Sequence, residues 1–260
     1  MPNHSSVPPP IAIILCAVME DEIRILAQGM PHIVAIHPLE QGLHNTPQLL
    51  SQRLQEAVGH LESTTNAQAI TLVYGLCSRG TENVTTRRAQ LIVPRAHDCI
   101  TLLLGSKERY AQYVQQNPGT YWYSPGWNRH HSPPGEERYQ KYLAEYRKKF
   151  SEEDAQFLME TEQAWFSEYK LAAYVDLGLT PETDVQADIA YTRKCADWLK
   201  WSFDRQRGDP QLLRDLLTGP WDDERFLVLN PGEFLKMTAD EKIMARVPLT
   251  VRGNPVEAEP

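Results

Sequence analysis

The stretch from Ile70 to Cys99 constrains the fold more than any other part of the chain. It holds two apolar runs, ITLVYG (70–75) and QLIVP (90–94), each short, rich in β-branched residues and bounded by turn residues. Runs of that length without polar alternation read as strands buried on both faces, the condition of strands inside a parallel sheet. Each run stops at a thiol: Cys77 follows the first, His97 and Cys99 the second. Ligands of open parallel sheets sit at the carboxyl ends of the strands. The chain therefore puts soft, nucleophilic side chains where chemistry is usually done.

The rest of the first half repeats the pattern. Ile11 to Val18 is a continuous apolar run, predicted as a buried strand ending near Cys16, and MEDEIRILAQ follows as a short helix with its acidic residues at the favourable N-terminal end. HIVAIHPL (32–39) reads as a second strand. Asn45 is its successor helix's N-cap candidate, with Pro47 in the first turn and Leu49, Leu50, Leu54 and Val58 at helical spacing. Strand, helix, strand and two further strands predict an α/β fold, a doubly wound, Rossmann-like, mostly parallel sheet. Right-handed crossovers would bring the four carboxyl ends to one edge.

After Cys99, ITLLLG and SKERYAQYVQQ read as helices separated at Gly105-Ser106. Residues 117–135, where Pro, Gly and aromatics alternate without a period, read as a loop or lid. Helices are predicted over Glu136–Phe150, from Ser151 toward Leu177, and from Thr180-Pro181 onward, a helical elaboration covering about 136–200. A WSFDRQ strand, a helix opened by Asp209-Pro210 and a last strand, FLVLNPG, complete the pattern. The expected organisation is a disordered segment over 1–10, a single α/β domain over 11–247 and a loose tail over 248–260.

Composition narrows the function. A net charge of −8 argues against a non-specific nucleic-acid binder. The N-terminus, MPNHSSVPPP, lacks the basic and apolar regions of a secretory signal, and IAIILCAVM is too short to span a bilayer. A cytoplasmic protein is expected, with no nucleic-acid or membrane partner. Its four cysteines would be reduced, so a metal or catalytic use is the special role to look for.

Cys16, Cys77 and Cys99 each follow a predicted strand, and such ends can meet at the sheet edge. Three thiolates from separate loops suit an iron–sulfur cluster, or a zinc with His44 or His97 as the fourth ligand. Asp98, between His97 and Cys99, would accept from an imidazole and orient it. Arg79 and Arg95 are the candidates for an anionic substrate group. Tyr123 and Trp127, in the aromatic segment, would cover a ligand and exclude water. Cys195 has helical spacing with Tyr191 and Trp198, which means packing, and is set aside. No Gly-x-Gly-x-x-Gly fingerprint, Walker loop or Gly-x-Ser-x-Gly elbow is present.

At YGLCSRG, LIVPRAHDCITLLLGS and NPGTYWYSPGW the chain resembles the bacterial and archaeal domain-of-unknown-function 1638 family, and LCAVMEDEI, GLHNTP and FLVLNPGE extend the likeness over nearly its whole length. The resemblance implies an α/β protein whose typical cysteines and histidines fall on Cys16, His44, Cys77, His97 and Cys99. It also implies, by the company some members keep, a link to corrinoid-dependent methyl transfer in anaerobes. The resulting expectation is a metal- or iron–sulfur-binding protein, an enzyme of group transfer on a small anionic substrate. Two alternatives stand beside it. One is a carrier that hands a metal or cofactor to a partner metalloprotein; the other is a metal-free transferase with Cys77 or Cys99 as nucleophile.

Overall fold

A computed structural model describes residues 8–249. Most of the segment expected to be disordered, and nearly all of the expected tail, lie outside the described residues. The chain gathers into two compact units. One combines the residues up to Lys107 with those from Asp209 onward; the other is Glu108–Gly208.

The first unit opens with β1 (Ile11–Cys16), α1 (Glu20–Leu26), β2 (Ile33–Leu39), α2 (Pro47–Thr64), β3 (Ala69–Val73), β4 (Gln90–Pro94) and α3 (Cys99–Leu104). Both faces of β1 are closed to water: Ile11, Ala12, Ile13, Ile14 and Leu15 are all 0% exposed, which is why the sequence runs apolar without alternation. Ala12 and Ile14, Ile70 and Leu72, and Leu91 and Val93 line one face, and α2 lays Leu50, Leu54, Ala57, Val58 and Leu61 against it. Burying each of these larger aliphatic side chains contributes roughly 1.5–3 kcal/mol. Thr46, not Asn45, is the residue at the N-cap of α2; Asn45 ends the preceding 3-10 turn, Leu43–Asn45.

The second unit takes in α4 (Lys107–Gln116) from Glu108 onward and holds β5 (Thr120–Tyr123), α5 (Pro125–His130), α6 (Glu136–Arg147), α7 (Glu152–Gln163), β6 (Leu171–Asp176), α8 (Glu182–Leu199) and β7 (Ser202–Arg207). Its strands form a parallel sheet in the order β5-β6-β7. Two expectations are corrected here. The segment 117–135 is not a loop: TYWY pairs with β6 as a strand, and Ser124 caps α5 through its side chain. The helix expected from Ser151 to Leu177 ends at Gln163, and LAAYVD is the central strand. A short apolar run suits a helix as well as a buried strand, and pairing on both sides decided for the strand. The helical elaboration expected over about 136–200 falls inside this unit.

The chain returns to the first unit with α9 (Gln211–Thr218), β8 (Phe226–Leu229), β9 (Glu233–Met237) and β10 (Met244–Pro248). The main sheet has the order β2-β1-β3-β4-β8, parallel except for β8. This is a Rossmann-like α/β fold with a mostly parallel central sheet. β9 and β10 form an antiparallel pair that the sequence reading did not anticipate. Among the described residues no helix is long and apolar enough to cross a membrane.

Candidate thiol centre

β1, β3 and β4 are neighbours in the sheet, so the loops leaving their carboxyl ends are neighbours too. Cys16 is the last residue of β1. Cys77 lies beyond β3 and Cys99 beyond β4, and the backbone stitches these two loops together: Leu76 N–H donates to the Ala96 carbonyl (2.9 Å) and Cys77 N–H to that of His97 (3.0 Å).

The Cys77 loop is strained. Cys77, Ser78 and Arg79 have φ of 44°, 58° and 69°, three successive non-glycine residues in the left-handed region, closed by Gly80 N–H donating to the Cys77 carbonyl at 3.0 Å. Each such residue costs about 1–2 kcal/mol. The surroundings hold it: the buried Thr81 hydroxyl donates to the Gly75 carbonyl at 3.2 Å, and Glu82 accepts from Arg79 Nε (3.1 Å) and from Met237 N–H (2.7 Å). Backbone strain of this kind concentrates at functional sites.

Cys99 opens α3. Asp98 caps that helix, its Oδ1 accepting from Thr101 N–H at 3.0 Å and from the Thr101 hydroxyl at 3.2 Å. Its charge is also felt by Cys77, Cys99 and His44. Asp98 thus caps α3 while its charge also acts on the His44 imidazole.

Cys16 acts on Cys77, and both act on Cys99. Burial is the main influence on each and pushes all three up: Cys77 to about 12, Cys99 well above its ordinary range, and Cys16 less far. Asp98 adds to the rise at Cys77 and Cys99, as does Cys16. All three thiols are therefore protonated at neutral pH. All three residues nevertheless keep some accessible surface. Tyr74, beside them, is a residue that sequence reasoning missed. Its only signal was a polar-tipped ring at the end of a strand otherwise buried and apolar.

The remaining expected site residues are placed as follows. His44 lies half-buried in the turn after β2; burial lowers its pKa while Asp98 acts in the opposite direction. His97 is exposed and meets Cys77 through its backbone carbonyl. Arg79 is paired with Glu82 and lines an outward cleft of about 460 Å³ with Pro47, Gln48 and Ser51. Arg95 is corrected: it is 5% exposed, and its guanidinium donates to the carbonyls of Asp223, Lys242 and Met244 and to the Asp223 carboxylate. It is a structural tie with little left to offer a substrate. Tyr123 is corrected likewise, being wholly buried in the second unit with its hydroxyl donating to the Pro134 carbonyl at 2.9 Å. Trp127 lies in the same unit on α5, its indole N–H donating to the Tyr121 hydroxyl and its ring 4.2 Å from that of His131. Cys195 is buried in that unit's core.

Among the described residues, no three His, Cys, Asp or Glu side chains surround a common point closely enough to hold a metal ion as they lie. A family model described as "Protein of unknown function (DUF1638)" matches residues 38–217, a span that includes His44, Cys77, His97 and Cys99 but not Cys16. No curated protein and no solved structure matches the chain.

Proposed function

The chain belongs to the DUF1638 family, and from that premise we propose that it is a thiol-centred metal- or iron–sulfur-binding protein, an enzyme of group transfer. Cys16, Cys77 and Cys99 are the sulfur donors, with His44 on their flank. The observation that carries this reading is the arrival of three cysteines from three adjacent parallel strands at one edge, each within electrostatic reach of the others. Sulfur donors of this kind select zinc, copper(I) or iron–sulfur chemistry over magnesium or calcium.

The same burial weighs against a metal-free thiol transferase, because a reactive cysteine needs a lowered pKa. A soft cation displaces the thiol protons as it binds and offsets the desolvation of the sulfurs. The donors do not yet converge, so loading requires at least one sulfur to turn inward. A bound metal would supply Lewis acidity or an activated nucleophile. With Arg95 committed elsewhere, Arg79, paired with Glu82, is the remaining candidate of the two for an anionic substrate group. Four free cysteines fit a reducing cytoplasm.

The partial exposure of all three cysteines also favours a second reading, a carrier that passes its metal to a partner. Anaerobic purification with metal and acid-labile sulfide analysis tests the first. Stoichiometric zinc, or iron with sulfide, that is lost in the Cys16→Ala, Cys77→Ala and Cys99→Ala variants supports it. A metal-free protein that takes up none of these ions ends it. Rapid loss of the bound metal to a competing thiol chelator would favour the carrier over the enzyme.

A further inference from the structure

The second unit has a parallel sheet of its own, and ligands of such sheets gather where the strands end. There α5 leaves the carboxyl end of β5 and α8 follows that of β6. Together with α6 these helices line a cleft of about 390 Å³, a size usual for small-molecule sites. None of its lining residues belongs to the thiol centre.

Asn128 on α5 and Asp188 on α8 form the acceptor side of the cleft. The Thr192 hydroxyl donates its one proton to the Asp188 carbonyl at 2.9 Å, so it accepts from the Asn128 amide at 3.4 Å. The Asp188 carboxylate is also hydrogen-bonded to Asn128. The amide hydrogens are thereby committed to α8, and Asn128 Oδ1 is left buried without a donor. Burial pushes the half-buried Asp188 carboxyl up, while Asn128 and Arg129 act the other way. This side of the cleft is short of donors.

The α6 side carries the complementary surplus. Arg138 is held by Glu162 at 2.8 Å and Glu137 by Lys194 at 3.2 Å, so those two charges are met. Lys141 makes a long hydrogen bond to the Ser132 hydroxyl (3.4 Å) and lies 5.8 Å from the Tyr142 ring, with no ion-pair partner among the described residues. An ammonium without a carboxylate therefore shares the cleft with a carboxylate and an amide oxygen that lack donors.

We propose that this cleft binds a free amino acid, its carboxylate on Lys141 and its ammonium on Asp188 and Asn128. The proposal is independent of the thiol centre. A zwitterion pairs each charge with its opposite. A dianion such as phosphate would meet repulsion from Glu137 and Asp188, and a simple amine would leave Lys141 unanswered.

The test screens the full chain by thermal midpoint against the twenty common amino acids singly, then measures the best binder by isothermal titration calorimetry. The comparison probes are that compound's des-amino acid, its decarboxylated amine and inorganic phosphate. At least one amino acid is expected to raise the midpoint saturably, with each comparison probe at least about tenfold weaker. Lys141→Met and Asp188→Asn are each expected to weaken binding about 10- to 100-fold, the loss of a hydrogen bond to a charged group. Lys148→Met, at an exposed lysine past the end of α6, should bind as wild type does. Lys141 is exposed, so Lys141→Met should keep the wild-type urea midpoint, and it carries the test alone if Asp188→Asn does not fold. No saturable response to any amino acid at millimolar concentration would overturn the proposal, as would full affinity in Lys141→Met. Inorganic phosphate binding as tightly as the best amino acid would overturn it too, since the cleft would then be an anion site.

Discussion

Gly75 and Ala96 pass so close that no side chain fits between them: a Cβ on Gly75 would lie 2.6 Å from the Ala96 carbonyl oxygen and equally close to the Asp98 amide nitrogen. The loop carrying Cys77 is thereby pressed onto the loop leading to Cys99, and two backbone hydrogen bonds hold it there. Gly75→Ala must push one backbone off the other. The expected result is a loss of about 1–3 kcal/mol, as for other overpacked sites, seen as a lower urea midpoint. Metal uptake at the thiol centre should weaken along with it. An unchanged midpoint would mean that the two loops are free to move apart.

Arg95 offers a prediction of the opposite kind, a large structural effect without a functional one. Its four hydrogen bonds run to the segment around Asp223 and to the Lys242 and Met244 carbonyls, joining the end of β4 to the turn before β10. Asp223 is half-exposed, so water can solvate its carboxylate when the arginine is gone. The abandoned carbonyls carry most of the loss. Arg95→Met should lower stability by roughly 3 kcal/mol in equilibrium urea unfolding, with metal affinity of the folded protein within about twofold of wild type. A selective loss of substrate binding in a fully stable variant would restore Arg95 to the site.

The second unit has its own pH dependence through Cys195, which is 4% exposed and packs against Gly135. Burial pushes its thiol from 9.0 up to about 11, with the Tyr191 hydroxyl acting the other way. The unfolded chain therefore gives up this proton first. Stability is whole below pH 9.0 and is lost as pH rises toward about 11, at no more than about 1.4 kcal/mol per pH unit. The thiols of the centre act in the same direction, so the informative quantity is the difference between wild type and Cys195→Ala. The variant's urea midpoint should fall less steeply across that window. Parallel slopes would show that the thiol is as accessible to water folded as unfolded.

The parts of this chain that could be read in advance were those whose surroundings leave one answer. β1, β3 and β4 are buried on both faces, and only a strand inside a covered sheet needs an unbroken apolar run. Cys16 ends β1, and Cys77 and Cys99 lie in the segments after β3 and β4, so the order β1-β3-β4 puts the three residues past neighbouring strand ends; the strand order itself could not be read in advance. β6 was misread because Ala172, Ala173, Tyr174 and Val175 suit a helix as well as a strand, and the choice rests on β5 and β7, far away in sequence. Arg95 was misassigned because its partners lie some 128–149 residues later in the chain. Tyr74 escaped notice since a tyrosine in a strand is unremarked until its hydroxyl is seen beside the Cys16 thiol.

Asp98 performs two tasks that mutation can separate. As the cap of α3, its Oδ1 holds the Thr101 amide and hydroxyl, and an N-cap of this type contributes about 1 kcal/mol. As a charge, it faces Cys77, Cys99 and His44. Asp98→Asn keeps an oxygen for the cap and removes the charge, whereas Asp98→Ala removes both. If the centre takes a cation, the carboxylate favours loading, and Asp98→Asn should bind Co²⁺ several-fold more weakly at nearly wild-type stability. Asp98→Ala should show the same weakening together with a urea midpoint lowered by about 1 kcal/mol. Tighter Co²⁺ binding by Asp98→Asn would contradict a cation site outright, because removing a negative charge helps only an anionic or neutral ligand.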